Sequence, residues 1–356
     1  SIMKQVDIGR RAKGCNLTAL AQRGVSISQM RTFTEKLRST CPWSKEQSPW
    51  WQDYSPQGSL PFEALTPQMI KAYAMHLTAT KTCSYMELIA DGPQVPQHFV
   101  EFAWTECWHD IASSIEWYIE ANHLSDSAVF YVDVLCVDYH TTPDRDKRQE
   151  DAIDALYECS GILRVLSDDE DSMARGWPLF NMEQAARYGK SVYLGCKTGV
   201  MACSSAFPSG GWVFGWFDPE IARRFGAVDC KHAQCHQEQH MLRIQAFFKH
   251  GSIHDGTDDG CCRFNAPKSL WCAGPILLRA AATDDVDAIV SLCNVDGLRL
   301  NSLSLKGGLG ETALHVAAGC SSLGALRALL DANMDPNIED SIGERPLHSA
   351  ALCGHA

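Results

Sequence analysis

The sequence predicts an α/β region built on an open parallel sheet, preceded by a helical leader and followed by an all-α array of helix pairs. Two observations predict this. Between residues 98 and 196, short apolar segments alternate with amphipathic segments of helical period. Near the carboxyl end, two nine-residue segments match each other at a spacing of 33 residues. The chain has 356 residues, a length that suggests two or three domains.

Residues 1–65 form the predicted leader. Within it, residues 26–37 place apolar side chains at helical spacing and predict an amphipathic helix. Residues 41–61 are rich in Pro, Ser, Gln and Trp and predict an irregular segment, which we expect Trp43, Trp50 and Trp51 to pin to the next domain. The chain starts at Ser1 rather than Met and stops inside a repeat, so we expect a piece of a longer product.

Residues 66–250 form the predicted α/β domain. We expect strands at residues 98–104, 128–137, 162–167 and 191–196, with a fifth at 211–217, and helices between them at 107–121, 151–159 and 181–188. This alternating order implies a parallel sheet with helices on both faces. A long helix over residues 233–249 completes the domain, and the Gly-, Asp- and Cys-rich residues 251–274 predict a linker.

The matching segments near the carboxyl end are GETALHVAA, from Gly310, and GERPLHSAA, from Gly343. Between them lies ALRALLDANMDPNIED, and a degenerate earlier copy, LLRAAATDDVDAIVSLC, starts at Leu277. This pattern resembles the ankyrin repeat, a hairpin followed by two packed helices. Residues 275–356 are therefore expected to be a truncated ankyrin solenoid, with Gly310 and Gly343 at positions that need a permissive backbone.

The repeats predict both a core and a binding surface. The core between repeats is expected to come from four leucines, namely Leu314, Leu326, Leu329 and Leu330. The binding surface is expected at the hairpin tips, where Asp340, Ser341, Ile342 and Leu309 are the candidate partner-binding residues. The resemblance implies a protein–protein interaction adaptor or scaffold whose partner is another protein.

The α/β domain resembles a domain related to the TIR superfamily, in the form found beside ankyrin repeats in proteins of dinoflagellate algae. The motifs are FVEFAW at residues 99–104, CSYMEL at 83–88, WPLFN at 177–181 and VDCKHAQCHQEQHMLRI at 228–244. The resemblance covers residues 66–249 and implies an open, flavodoxin-like parallel sheet. The four motifs agree only loosely with the family pattern, notably in the first strand, where Glu101 and Phe102 replace a Ser-His pair.

Enzymatic members of that superfamily cleave NAD with a single Glu placed four residues after the Trp of the WPLFN-like motif. Here that position is Asn181, and an amide cannot supply the negative charge that stabilises a cationic ribosyl centre. Glu183 lies two residues further on, on the other side of a regular helix. The resemblance therefore implies a non-catalytic domain without a cofactor, and Glu183 is the catalytic candidate only in the alternative, an NAD-consuming hydrolase.

Metal-binding residue types gather in one short segment, which contains Cys230, His232, Cys235, His236 and His240. Two interpretations are open, a zinc site or ordinary helix residues, and the absence of a CxxC pair favours the second. Residues 168–171 are all acidic and follow a predicted strand. A cation site or a solvated loop fits them, and the loop is favoured.

Composition argues against two classes of partner. The net charge of −12 opposes a general surface for nucleic acid or anionic membranes, and no apolar run approaches a membrane span. Sixteen cysteines are scattered without regular spacing through a chain long enough to form a core. They predict free, mostly buried thiols in a reducing compartment, and hence a cytoplasmic protein.

Overall fold

The computed structural model describes residues 22–41, 60–141, 145–203, 212–235, 260–294, 304–306 and 309–355, with a few single positions between 236 and 250. The chain divides into two compact units, each described by itself. The first is Ser1–Val100 with Ser125–Ser160, and the second is Glu101–Leu124 with Gly161–Ala356.

The described residues of the first unit form three short strands. β1 (Val25–Ser26) pairs antiparallel with β3 (Val129–Val132), and β2 (His98–Glu101) pairs parallel with β3. The strand predicted over residues 128–137 is shorter than expected, because the chain turns into the helix α5 (Asp133–Cys136). The carboxylate of Asp133 accepts the hydroxyls of Tyr131 and Tyr139, which holds this turn in place.

The described residues of the first unit also form five α-helices. α1 (Ile27–Thr40) confirms the helix predicted in the leader and begins with a capping box between Ser26 and Gln29. Its apolar face buries Ile27, Met30, Phe33 and Leu37. The others are α2 (Pro67–Thr78), α3 (Tyr85–Ile89), α5 and α6 (Arg145–Glu158). Trp43, Trp50 and Trp51 lie outside the described residues.

The second unit contains a mixed sheet, which corrects the expectation of a purely parallel one. Its strands follow chain order, from β4 (Gly161–Val165) through β5 (Ser191–Cys196), β6 (Gly199–Cys203), β7 (Trp212–Gly215) and β8 (Ser304–Lys306) to β9 (Leu309–Thr312). The pairs β4–β5 and β7–β8 are parallel, and the other three are antiparallel. Only two residues join β5 to β6, too few for the crossover that parallel strands need.

Helices of the second unit include α4 (Trp108–Ala121), α7 (Glu170–Met173), α8 (Gly176–Arg187) and α9 (Pro219–Ala227). α4 confirms the predicted amphipathic helix, because Trp108, Ile111, Ile115 and Tyr118 are buried. α8 starts five residues earlier than predicted. Pro178 lies in its first turn, where a missing N–H costs no helical hydrogen bond.

The predicted linker is wrong from residue 260 onward, because α10 spans Gly260–Thr283 as one helix. Lys268 on α10 is fully buried, and its Nζ donates to the carbonyls of Phe225 and Gly226 at distances of 2.7 and 2.9 Å. Those carbonyls end α9, so the lysine caps a helix terminus that favours a cation. α10 therefore joins the α/β elements to the repeats within one compact unit.

The repeats are built from helix pairs and a hairpin. The end of α10 and α11 (Val286–Cys293) form the first pair, the β8–β9 hairpin follows, and α12 (Ala313–Gly319) with α13 (Leu323–Asp331) forms the second pair. α14 (Pro346–Leu352) opens the next repeat. Leu314 and Leu329 are buried as predicted, whereas Leu330 is 44% exposed and Leu326 is only half-buried. Leu330 therefore lies outside the predicted core.

Candidate functional site

The candidate binding surface is the tip loop, which we define as residues 339–345, between α13 and α14. Three of the four predicted partner-binding residues lie in it, namely Asp340, Ser341 and Ile342, and the latter two are exposed. The fourth, Leu309, begins the strand β9, and its side chain lies outside the described part of the chain. Ile342 is the apolar side chain that this loop presents to solvent, at 59% exposure.

The tip loop is a closed turn held by Asp340. One carboxylate oxygen of Asp340 accepts the backbone N–H groups of Ile342 and Glu344, at 2.9 and 2.8 Å. The N–H of Asp340 donates to the carbonyl of Glu344, at 2.8 Å. Gly343 has a φ of +83°, a backbone conformation that residues with a Cβ rarely adopt. The turn therefore holds Ile342 in one place before any partner arrives.

The tip loop is also fastened to the preceding repeat. His315 is buried on α12, and its Nε2 is 3.1 Å from the carbonyl oxygen of Glu344. Gly310 on β9 has a φ of +75°, and a Cβ added there would collide with the hydroxyl of Ser341. Strand β9 and the tip loop therefore lie in close contact at Gly310 and Ser341, and we call the two together the hairpin strip.

The alternative catalytic residue, Glu183, is engaged elsewhere. It lies on α8, where its carboxylate pairs with Arg187 at 3.0 Å and accepts a hydrogen bond from Gln184. Asn181 lies on the same regular helix and donates from Nδ2 to the Oε2 of Glu101, at 2.7 Å. The two side chains thus have separate partners.

Glu101 is the functional candidate that the sequence reasoning did not weigh. It ends β2, and its half-buried carboxylate accepts a hydrogen bond from the side-chain amide of Asn181. An acidic residue at the carboxyl end of a strand, the edge where α/β sheets bind ligands, was a signal that could have identified it.

A second polar group lies in the same unit and is buried completely. Ser172 connects its two charged side chains, Glu106 and Arg164. The Ser172 hydroxyl donates to Oε1 of Glu106 at 3.4 Å, and the Ser172 carbonyl accepts from Nη2 of Arg164 at 2.9 Å. Glu106 is 3% exposed and Arg164 is 0% exposed. Burial raises the pKa of Glu106 to about 8, although the Arg164 guanidinium opposes this and the charge of Glu101 adds to it.

Buried polar atoms without a hydrogen bond are concentrated here. Among the described side chains they are Oε2 of Glu106, Nε and Nη1 of Arg164, and Oδ1 of Asn181. Such atoms are uncommon in folded proteins and each carries a desolvation cost. We call Glu106, Arg164 and Ser172 the buried polar cluster. The arginine inside the apolar segment ILRVL was the available sequence signal.

Of the four candidate metal ligands, the structure describes two: Cys230 is buried in a short 3₁₀ turn and Cys235 is half-buried. His236 and His240 lie outside the described residues. Within the described residues, no group of three or more His, Cys, Asp or Glu side chains is placed to hold a metal ion. In the acidic run, the carboxylate of Asp169 accepts hydrogen bonds from Thr105 and from the N–H of Asp171, as in a capped loop.

Thirteen cysteines within the described part of the chain are free thiols, and six of these are fully buried. None of the helices in the described ranges combines the length and apolar character required to cross a bilayer.

Comparison with known proteins bears on the repeats. The family model for ankyrin repeats, in three copies, matches residues 277–356. Neurogenic locus notch homolog protein 1 of Cricetulus griseus is 40% identical over 67 residues, which are 19% of this chain and 3% of that protein. The Homo sapiens protein of the same name is 40% identical over 67 residues, and Neurogenic locus Notch protein of Drosophila melanogaster is 39% identical.

These matches concern a small part of each relative. The chain spans 2 to 3% of the length of these relatives, and the shared 67 residues are 19% of the chain itself. The hairpins, paired helices and left-handed glycines observed between β8 and α14 agree with the matched family. Residues 277–356 are ankyrin repeats.

Proposed function

We propose that this protein is an interaction adaptor that binds another protein through its ankyrin repeats. The observation that carries the proposal is the tip loop, in which a fixed turn presents Ile342 to solvent at 59% exposure. A preorganised apolar side chain loses little conformational freedom on binding, so most of the contact energy contributes to affinity. Ankyrin repeats generally act as binding surfaces, which supports the same conclusion.

Affinity capture with the whole chain tests the proposal. The bait is compared with the variants Ile342→Asp and Leu323→Asp, and each captured protein is quantified. Leu323 is a matched control, because it is 62% exposed but lies on α13 rather than in the tip loop. We expect specific partners to be lost from the Ile342→Asp bait and retained by the Leu323→Asp bait. Equal capture by both variants would refute the role of the tip loop.

A second candidate function, NAD hydrolysis, is favoured by one observation. Glu101 places a carboxylate 2.7 Å from the amide of Asn181, and a carboxylate at this position is the group that the chemistry needs. Against it, Glu101 is tied to Asn181, and Glu183 to Arg187. We therefore expect no nicotinamide release from the wild-type protein.

The assay compares the wild type with Glu101→Gln, Glu183→Ala and Asn181→Glu. Release by the wild type that disappears in Glu101→Gln would establish the second function with Glu101 as its carboxylate. Release that disappears only in Glu183→Ala would assign the reaction to Glu183 instead. Loss of a charged partner of a transition state typically costs about 10² or more in rate, which such an assay resolves easily.

A further inference from the structure

The side chains around Ile342 are predominantly acidic. The described residues from 304 to 355 contain six acidic and three basic residues, and one of the basic residues, Arg327, lies on the second helix of its repeat. Four of the six acids lie on the hairpin strip, with Glu311 on β9 and Glu339, Asp340 and Glu344 in the tip loop. Of the other two basic residues, Lys306 ends β8 and Arg345 pairs with Glu339 at 3.0 Å, so the four acids of the strip outnumber its two bases. The strip therefore carries a net negative charge.

The turn keeps two of these acids, Asp340 and Glu344, beside the exposed isoleucine. Asp340 accepts the N–H of Ile342, and the backbone of Glu344 is bonded both to Asp340 and to His315. Glu311 and Glu344 are each partly exposed. Asp340 and Glu344 are each two residues from Ile342, so their Cα atoms are at most about 7 Å from it, within the Debye length of about 8 Å at physiological salt, and their charges act on a partner that reaches Ile342.

We propose that the tip loop binds a basic segment of a partner protein that carries Lys or Arg beside at least one aliphatic or aromatic side chain. This inference rests on the proposed function and names the chemistry of its partner. The apolar side chain covers Ile342, and the basic side chains lie over Glu311, Glu344 and Asp340. Phosphorylated segments, nucleic acid and anionic lipid are disfavoured, because each would place negative charge against carboxylates.

Selection from a library of random twelve-residue peptides on phage, against the whole chain, tests the composition directly. We expect the selected peptides to be enriched in Lys and Arg together with one or more large apolar residues. The affinity of a synthetic copy should fall steadily as NaCl rises, because exposed charge pairs are screened. Selected peptides that are neutral or acidic, with affinities indifferent to salt, would overturn this inference while leaving the adaptor function intact.

Substitutions then assign the contact. With a selected peptide, Ile342→Ser should weaken binding by about tenfold or more, the scale of one buried aliphatic anchor. Leu323→Ser should change it less than about twofold, the effect of a surface position outside the contact.

The pair Glu311→Gln and Glu344→Gln should weaken binding at low salt and flatten its salt dependence. Binding unaffected by Ile342→Ser, or a salt dependence unchanged by the glutamines, would overturn the inference. If no peptide of any composition is selected, both the inference and the adaptor function fail.

Discussion

The tip loop and the buried polar cluster use polar groups in opposite ways. In the tip loop, Asp340 accepts two backbone N–H groups and an apolar side chain is left outside, at Ile342. In the cluster, Glu106 and Arg164 are removed from water and keep polar atoms without partners. Hydrogen-bonded polar groups around an exposed apolar side chain suit binding to a partner. Buried polar groups without hydrogen bonds instead lower the stability of the fold, by an amount that depends on their protonation.

The largest expected effect is on the repeat core. Leu329→Ala removes a fully buried side chain from α13 and should lower the free energy of unfolding by about 2–5 kcal/mol. Leu330→Ala, next to it but 44% exposed, should cost less than about 1 kcal/mol. Urea unfolding of both variants measures the difference. Equal losses would contradict the assignment of these leucines to the inside and outside of the repeat.

The next effect concerns the buried polar cluster. The pKa of Glu106 is raised from 4.5 to about 8 in the folded chain, so the folded state binds its proton more tightly than the unfolded state does. The contribution of Glu106 to the free energy of unfolding is fully present below about pH 4.5 and is lost as the pH rises through 8. Between those values the loss is on the order of 4 kcal/mol.

Glu106→Gln isolates this contribution, because glutamine has the same shape and no proton to lose. The difference in unfolding free energy between wild type and Glu106→Gln should change with pH, the wild type weakening relative to the variant from pH 5 to 8. Urea titrations at several pH values give that difference. A difference that stays constant over this range would mean that Glu106 is ionised throughout, paired with Arg164.

The smallest effect tests the register of adjacent hairpins. Gly310→Ala should cost about 1–2 kcal/mol, because it combines a positive φ with a collision against Ser341. Gly343→Ala has a similar φ but open space around its Cβ, so it should show the backbone cost alone. Adding Ser341→Gly to Gly310→Ala should recover the part caused by the collision. No recovery would place the two hairpins further apart than described.

Much of this architecture could be predicted from sequence where the pattern is periodic. The repeat at 33 residues located Gly310, Gly343 and the buried Leu329, and the helical spacing from Trp108 located α4. These features are local, so a single window of sequence contains the whole signal. The hairpin at residues 339–345 was likewise expected, because its glycine and acidic residues belong to the repeat pattern.

The remainder depended on contacts between distant segments. β6 was missed because GVMAC shows no alternation, and the linker composition of residues 260–274 hid a helix that Lys268 fastens to α9. The partners of Glu101 and Glu106 are 80 and 66 residues away in the chain. No pattern along a single sequence states which distant residue a carboxylate meets, so the polar cluster emerged only from the fold.

The central claim, that the tip loop carries the binding, is tested most directly by site-specific crosslinking. A photoreactive amino acid is placed at position 342 in one sample and at position 323 in another, and each is irradiated with the partner or selected peptide bound. If the tip loop carries the binding, we expect a covalent adduct from position 342 and none above background from position 323. An adduct from position 323 alone would contradict it, and would move the binding surface to the second helices of the repeats.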